Sequence, residues 1–329
     1  MYAIATERTI TMNLKAAAIA LLAFALFSTH DVVVKFLGGS YSPIQTLFFV
    51  SLFSFPLTTM MLVRDPTPGN LRPVHPGWIA IRSITMPFGA VGAFYAFATL
   101  PLAQVYAIIF ATPLLITVLS IPMLGEKVGI HRAAAVVVGL AGVLIVIRPG
   151  AEPMQLGHLA ALTTVLAASL QSIISRKIGR EERRVVMLLF PFAATFVVMG
   201  IALAFVYEPM PLRDLAGTGM IAVLGFMGAL GLVVAYSMGE ATIVAPMQYS
   251  QIIWATIFGY AFFGETLDKT TIIGAGVIIA SGLYILVRES IGGRSENTPV
   301  LRSRSRLFSP GAFRVSSMLR RKKSDDQGT

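Results

Sequence analysis

The sequence predicts an all-α membrane protein in which ten transmembrane helices form two inverted five-helix repeats. Three observations support this fold class: the composition, the long uncharged stretches, and motifs that recur about 140 residues later. Of the 329 residues, 55% are hydrophobic and 13% are charged, whereas soluble domains carry about a quarter charged residues. A chain with so few charges lacks the polar surface that a water-soluble protein of this size needs.

Ten apolar stretches account for most of the chain. Crossing a hydrocarbon core about 30 Å thick takes roughly 20 apolar residues in a helix. The predicted spans are 16–36, 44–63, 83–100, 102–124, 133–147, 158–175, 185–207, 215–239, 241–264 and 270–287. The fifth is short and is expected to borrow flanking residues at both ends. Residues 1–15 are predicted to form a cytoplasmic N-terminus, and residues 289–329 a basic, disordered cytoplasmic tail.

The distribution of basic residues predicts the orientation. With the N-terminus inside, all but four of the 26 Lys and Arg fall in cytoplasmic segments; the exceptions are Lys35, Arg148, Arg213 and Lys269. Positive charge concentrates on the cytoplasmic side of membrane proteins. The sequence therefore predicts a multi-pass protein of the cell inner membrane with both termini cytoplasmic. The net charge of +10 is then topogenic, and no nucleic-acid partner is predicted.

An internal repeat supports the inverted architecture. Leu124–Lys127 matches Phe263–Thr266, and Gly142–Arg148 matches Gly282–Arg288. The predicted repeats are 16–148 and 155–288, with five spans each. Because five is odd, the second repeat must cross the membrane in the opposite sense to the first. Inverted repeats are a recurring plan of secondary transporters, whose substrate sites lie near the midplane between the halves.

Several function classes find no support in the residues. The chain has no cysteine, so disulfides, thiolate metal sites and cysteine nucleophiles are excluded. It contains no GxxxxGK[ST] loop for ATP phosphates and no HExxH metal pair. We therefore predict no cofactor and no metal site, and the expected partners are a small-molecule substrate and membrane lipid. The oligomeric state is not predicted.

Two long segments carry a family resemblance. Ala98–Lys127 and Gly139–Gly150, with their counterparts Gly239–Thr266 and the helix ending in Arg288, resemble the drug/metabolite transporter superfamily in its EamA branch. The resemblance covers about residues 14–288. It implies ten helices in two repeats, transport of a small metabolite, and a cavity surrounded by helices one, three, four, six, eight and nine.

The resemblance also suggests a substrate. The segments His30–Phe36 and Ser40–Asp65 look most like bacterial riboflavin-uptake proteins, so riboflavin uptake is the predicted function. Carriers or exporters of S-adenosylmethionine, amino acids or drugs from the same superfamily are the alternatives. A membrane-integral enzyme and a non-transporting scaffold are alternatives of other classes. An enzyme normally needs several charged catalytic groups at a membrane face, and only the neighbourhood of Asp31 offers one.

Asp31 is the first candidate for the site. It lies within the first predicted span, where ionisable side chains are rare and usually face a cavity or a partner. Lys35 is four residues further along, within reach on the same helical face, and His30 is adjacent. The three residues are candidates for binding substrate or coupling transport to a proton. A structural ion pair between Asp31 and Lys35 at the outer interface is the other interpretation.

The ninth span supplies the largest group of polar candidates. Gln248, Tyr249, Gln251 and Trp254 lie within seven residues. Amides both donate and accept hydrogen bonds, and the aromatic rings offer stacking surfaces, which suits a polar heterocycle. Bonding between helices is the alternative role. The remaining candidate binding residues are Tyr95, Gln104, Tyr106, Gln171 and Tyr236.

Two further features of the repeat have predicted structural roles. Pro113 in the fourth span removes a backbone donor, which should kink the helix and free the carbonyl of Ile109. Glu126 and Glu265 follow the fourth and ninth spans in the repeat motif, and we predict that they are caps or interface anchors.

Overall fold

The computed structural model describes residues 2–63, 71–126, 128–150, 154–179 and 181–291. Throughout these residues the regular structure is helical. The helices are α1 (Tyr2–Gly38), α2 (Pro43–Val63), α3 (Pro76–Thr99), α4 (Leu102–Ile109), α5 (Thr112–Leu124), α6 (Ile130–Ile147), α7 (Leu156–Ile178), α8 (Arg184–Val206), α9 (Leu212–Met238), α10 (Ala241–Val244), α11 (Gln251–Phe263) and α12 (Lys269–Ile291), with a 3₁₀ segment at Ala245–Ser250. These elements form ten transmembrane segments in two inverted five-helix repeats.

The ten segments follow from the described helices. Eight of these helices are long and apolar enough to cross a membrane, when α4 and α5 are taken as one segment, Leu102–Leu124. The second segment is α2, of which the shorter stretch Pro43–Leu57 has the required apolar character. The ninth consists of α10, the 3₁₀ segment and α11, and no part of it alone is long enough to span. The count of ten therefore includes one short segment, the second, and two interrupted segments, the fourth and the ninth.

Four predicted boundaries need correction, including the start of the third segment, which lies at Pro76 and not at 83. The first helix begins at Tyr2 and not near Ala16, so it continues through the segment predicted as a cytoplasmic N-terminus. The fifth segment, α6, gains residues only at its start, since it still ends at Ile147. The last helix continues to Ile291, past the predicted end at 288. The rest of the predicted tail, 292–329, lies outside the described residues.

The fourth segment is broken where Pro113 was predicted to kink it. Because Pro113 has no N–H, the carbonyl of Ile109 loses its helical donor. The hydroxyl of Thr112 donates to this carbonyl at 2.6 Å, so the predicted release of the Ile109 carbonyl is confirmed. The ninth segment is also interrupted near its middle, where Pro246 lies in the 3₁₀ segment. Both repeats therefore carry their break in the same segment.

The contacts between helices are symmetric: interchanging the two repeats gives the same set of helix pairs. The first segment of each half packs along the third segment of the other, as α1 on α9 and α7 on α3. The second segments of the two halves pack on each other, as α2 on α8, and so do the fifth segments, as α6 on α12. This pattern is expected for an in-plane pseudo-two-fold axis.

Helices α6 and α12 approach very closely through glycine. A Cβ atom added at Gly274 would lie 2.8 Å from the carbonyl oxygen of Gly142 and 2.5 Å from a methyl carbon of Val146. A Cβ atom at Gly142 would in turn lie 3.0 Å from the carbonyl oxygen of Gly274. Small residues allow such backbone contact between membrane helices, so this interface depends on the absence of side chains at both positions.

Candidate substrate site

A buried polar cluster lies where α1 meets the middle of both broken segments. Its members are at most 5% exposed; they are Ser28, His30, Asp31, Tyr106 and Gln251. The Nδ1 atom of His30 lies 2.7 Å from Asp31 Oδ1, and the phenol of Tyr106 donates to Asp31 Oδ2. The amide of Gln251 donates to Tyr106 Oη at 3.1 Å. Three segments that are distant in sequence therefore converge on one carboxyl group.

The number of hydroxyl protons decides which residue donates in the contacts of Tyr106 with Asp31 and Ser28. The phenol of Tyr106 has one proton, and the carboxylate of Asp31 is its strongest acceptor. In the 3.4 Å contact between Tyr106 and Ser28, the Ser28 hydroxyl is therefore the donor. Asp31 accepts from Tyr106 on one oxygen and meets His30 on the other.

Aromatic rings surround the cluster. Tyr106 packs against Phe97 and Phe110, with ring centroids at 5.4 and 6.0 Å. Phe110 meets Tyr249 at 5.0 Å, and His30 meets Phe94 edge-on at 6.1 Å. Aromatic faces attract cations and stack on heterocycles. A buried carboxyl group with aromatic walls therefore suits a cationic or heterocyclic ligand.

The sequences of the first helices of the two repeats can be aligned over the part of α1 that carries the site. Ser28–Gly38 reads STHDVVVKFLG, and Ser169–Gly179 reads SLQSIISRKIG. In this alignment Ser172 stands opposite Asp31. The carboxylate of the site thus belongs to the first repeat alone.

Of the predicted residues, the structure brings Asp31, His30, Tyr106 and Gln251 together. Phe110 contacts both Tyr106 and Tyr249, so Tyr249 lies one ring away from the cluster. The hydroxyl of Tyr249 points towards Gly282 on α12. Gln248 bonds to Tyr249 and lies in the half-buried 3₁₀ segment. These residues form the candidate site in the structure.

Lys35 makes its contacts away from Asp31. Its Nζ atom lies 2.7 Å from Glu265 Oε1 and donates to the carbonyl of Leu100 at 2.5 Å. The predicted ion pair between Asp31 and Lys35 is therefore not formed. Glu265 also accepts the backbone N–H of Leu102 at 2.9 Å, and Glu126 pairs with Arg176. The prediction that the two glutamates are interface anchors is confirmed.

The other predicted residues lie outside the cluster. Gln104 contacts the imidazole of His158 at 3.1 Å. The backbone carbonyl of Gln171 accepts from Arg82, and in the part of the chain that the structure describes its buried side-chain nitrogen has no hydrogen-bond partner. Trp254 stacks on Phe258 at 5.9 Å, one turn along α11. Tyr236 on α9 packs against a separate apolar cluster that includes residues of α1, and Tyr95 is half-buried on α3.

The sequence interpretation missed Ser28 and the aromatic residues Phe97 and Phe110. The alignment of Ser28–Gly38 with Ser169–Gly179 could have identified Ser28, because serine recurs at that position. The two phenylalanines carry no signal that separates them from core residues. Within the described parts of the chain, no three His, Cys, Asp or Glu side chains are grouped as a metal site requires.

Inverted helix repeats around a buried polar site define a small-molecule transporter of the membrane. The chain belongs to the EamA-like transporter family, whose model matches residues 14–148 and again residues 155–287. Membership of this family favours the carrier hypothesis over the membrane-integral enzyme.

Curated relatives extend the comparison. The chain is 28% identical over 272 residues to an S-adenosylmethionine uptake transporter of Rickettsia bellii, covering 82% of this chain and 92% of the relative. It is 26% identical over 276 residues to the pseudopaline exporter CntI of Pseudomonas aeruginosa, covering 83% and 96% of the two chains. A crystal structure with 19% identity matches with a TM-score of 0.56, covering 83% of this chain and 97% of that one, which supports the fold.

Gln251 and Trp254 give a first test of the site. Gln251→Ala is expected to lower the rate of substrate transport about tenfold, because it removes the donor to Tyr106 and leaves a buried oxygen less well bonded. Trp254→Ala is the matched control on the same helix, and we expect less than a threefold loss. Both are measured as initial transport rates normalised to the amount of protein in the membrane. A larger loss with Trp254→Ala would move the site to the neighbouring face of α11.

Proposed function

We propose that this protein is an inner-membrane carrier that takes up a small cationic metabolite of the S-adenosylmethionine type. The observation that supports the proposal is the buried carboxyl group of Asp31 between Tyr106 and His30. An ionised side chain in the interior of a membrane protein is costly unless it is paired. His30 and Tyr106 already contact Asp31, and a cationic substrate adds a further favourable charge interaction that a neutral substrate does not.

The chemistry of S-adenosylmethionine matches the cluster. Its sulfonium and ammonium groups are positive, and both suit a carboxylate. The sulfonium also suits the faces of Tyr106 and Phe110 by cation–π attraction. The adenine ring can stack on an aromatic wall and exchange hydrogen bonds with an amide such as that of Gln251. The S-adenosylmethionine uptake transporter of Rickettsia bellii supports the same assignment and the inward direction.

The riboflavin hypothesis stays a prediction that rests on the resemblance of His30–Phe36 and Ser40–Asp65. The relatives described above carry S-adenosylmethionine or pseudopaline by name. Riboflavin is uncharged at neutral pH, so it gives no reason for a buried carboxyl group at the centre of the site. Competition between the two compounds separates the hypotheses.

The proposed orientation places both termini in the cytoplasm. Loops predicted to be cytoplasmic contact one another, since Glu182 accepts the backbone N–H groups of Val74 and His75 at 2.9 and 3.0 Å. At the opposite end, Tyr41 donates to Asp214 at 2.6 Å. This bond raises the pKa of Tyr41 to about 12, together with partial burial. The positive-inside rule supports a cytoplasmic location for the Glu182 end.

The pair formed by His30 and Asp31 is the proposed coupling element. The imidazole and the carboxyl group are in contact, so a proton taken up by the pair changes the charge that a substrate meets. Lys35 no longer belongs to this element, because it bonds to Glu265 and Leu100.

Uptake into proteoliposomes tests the function directly. Labelled S-adenosylmethionine is expected to accumulate with saturation, and unlabelled compound should compete. S-Adenosylhomocysteine keeps the adenosine and the amino acid but lacks the sulfonium charge, so it should compete at least about tenfold more weakly. Riboflavin should not compete. Saturable uptake of riboflavin, with no uptake of S-adenosylmethionine, would overturn the proposed substrate and restore the earlier hypothesis.

A further inference from the structure

Two ion pairs lie at opposite ends of the protein and are related by the repeat. Lys35 and Arg176 share one position in the aligned first helices of the two halves. Their partners, Glu265 and Glu126, share one position after the two broken segments. Lys35 pairs with Glu265 at 2.7 Å, and Arg176 pairs with Glu126. The side chains are 17% exposed or less, so both pairs are largely withdrawn from water.

The Lys35 pair also holds the turn between α3 and α4. Lys35 donates to the carbonyl of Leu100 at 2.5 Å, and Glu265 accepts the N–H of Leu102 at 2.9 Å. One pair of charges thereby ties the ends of α1 and α11 to the start of α4. We call Lys35, Glu265 and the turn Leu100–Leu102 the Lys35 clasp.

The Arg176 pair has an unused donor where the Lys35 clasp has a bond. The Nη1 atom of Arg176 is buried and has no hydrogen-bond partner among the described residues. In the other repeat, the equivalent residue Lys35 donates to the carbonyl of Leu100. A buried donor without an acceptor costs free energy, so the Arg176 pair lacks a partner that its counterpart has.

The turn that would supply this partner has the same geometry in both repeats. Leu100 ends α3 with φ −108° and ψ 160°, and Gly239 ends α9 with φ −118° and ψ 165°. Each N–H donates at 2.9 Å to the carbonyl four residues earlier. The turn at Gly239 is followed by Glu240, whose exposed carboxylate adds a charge that suits a guanidinium.

The broken segments are closed at one end and apart at the other. Their outer halves, α4 and α11, pack directly on each other. Their inner halves do not pair in this way across the described residues: α5 packs on α7, and the 3₁₀ segment packs on α1. Every residue of the 3₁₀ segment is half-buried. The bundle is thus sealed at the Lys35 end and separated at the Arg176 end.

We propose that the Lys35 clasp and the Arg176 pair are alternate closures of the substrate path. In this structure the Lys35 clasp is closed. In the opposite state Arg176 donates to the carbonyl of Gly239 and to Glu240, Glu126 accepts the N–H of Ala241, and the Lys35 clasp opens. The inference rests on the proposed carrier function, since a carrier must expose its site to each side in turn.

Thiol accessibility tests this proposal, because the natural chain has no cysteine and each introduced one is a clean reporter. Ala255→Cys reports the Lys35 end, since Gln251, Ala255 and Gly259 form the buried stripe of α11. Ser250→Cys reports the Arg176 end from the half-buried 3₁₀ segment. A membrane-impermeant maleimide is applied from each side, without substrate. The readout therefore works even if the substrate assignment fails.

Glu265→Gln should open the Lys35 end and Glu126→Gln should not. We expect Glu265→Gln to raise labelling of Ala255→Cys about fivefold or more and to lower labelling of Ser250→Cys. In Glu126→Gln, the matched change in the other repeat, Ala255→Cys should stay protected. Equal effects of the two changes on both reporters, or no effect of either, would contradict the proposal.

A charge exchange separates the clasp from a simple structural pair. Lys35→Glu combined with Glu265→Lys keeps the ion pair and its contribution to folding. It loses both backbone bonds, since glutamate cannot donate to Leu100 and lysine cannot accept from Leu102. We therefore expect the exchanged protein to reach the membrane and still to label at Ala255→Cys as Glu265→Gln does. Protection at the level of the unchanged pair would show that the ion pair alone closes this end.

Discussion

Asp31→Asn is expected to reduce uptake about 30-fold or more, the largest loss among substitutions in the site. The change keeps the size of the side chain and removes the charge that a cationic substrate would meet. Truncating one partner of a buried charge pair costs about 2–5 kcal/mol, which corresponds to a factor of about 30 or more in binding. The measurement is the initial rate of S-adenosylmethionine uptake into vesicles with matched amounts of protein.

Asp268→Asn is the control for Asp31→Asn. Asp268 is about half exposed and pairs with Arg148 just before α12, away from the cluster. Partial burial by itself would raise the pKa of Asp268, but hydrogen bonds from Arg148, Thr271 and Thr270 hold it well below its ordinary value. An exposed pair contributes little, so uptake should stay within about twofold. Equal losses from the two substitutions would remove Asp31 from the binding role.

Gly274→Ala is expected to produce the largest loss of folded protein. The added methyl would lie 2.8 Å from the carbonyl oxygen of Gly142, and a backbone atom cannot move aside as a flexible side chain can. Overpacking of this kind costs about 1–3 kcal/mol. Size-exclusion chromatography and thermal unfolding in detergent should show less monodisperse protein and an earlier transition.

Gly276→Ala is the matched control on the same helix. A Cβ atom at Gly276 would meet nothing within 4 Å, and alanine favours a helix more than glycine does. We therefore expect unchanged or slightly higher stability. If Gly276→Ala lowered stability as much as Gly274→Ala, the close approach of α6 and α12 would not explain the effect.

The sequence predicts the fold well because the membrane restricts what a chain can do. Long apolar stretches must be helical, and an odd number of spans per repeat requires inversion. The break near Pro113 was also predictable, since the missing donor is a property of that residue. The length of α1 was not, because its first turns up to Thr11 continue the helix in residues too polar to be counted with the span.

The site was predictable where the residue type alone signals a role. Asp31 is conspicuous because a carboxyl group inside a span needs a partner, and Gln251 stands out among apolar neighbours. The partner of Lys35 was not predictable. A spacing of four residues on a helix allows contact with Asp31, but Glu265 in the other repeat is closer in space. A contact between distant segments depends on tertiary packing, which periodicity does not contain.

The single carboxylate of the site has an electrical consequence. Ser172 occupies the position in the second repeat that corresponds to Asp31 in the first. The arrangement of the helices is therefore nearly symmetric, but the distribution of charge in the site is not. The affinities that the carrier presents to its two sides therefore need not be equal. A positively charged cargo is also drawn inward by the membrane potential, by about 2.3 kcal/mol per elementary charge for each 100 mV. The membrane potential therefore adds to the driving force that the proposed His30–Asp31 coupling element supplies.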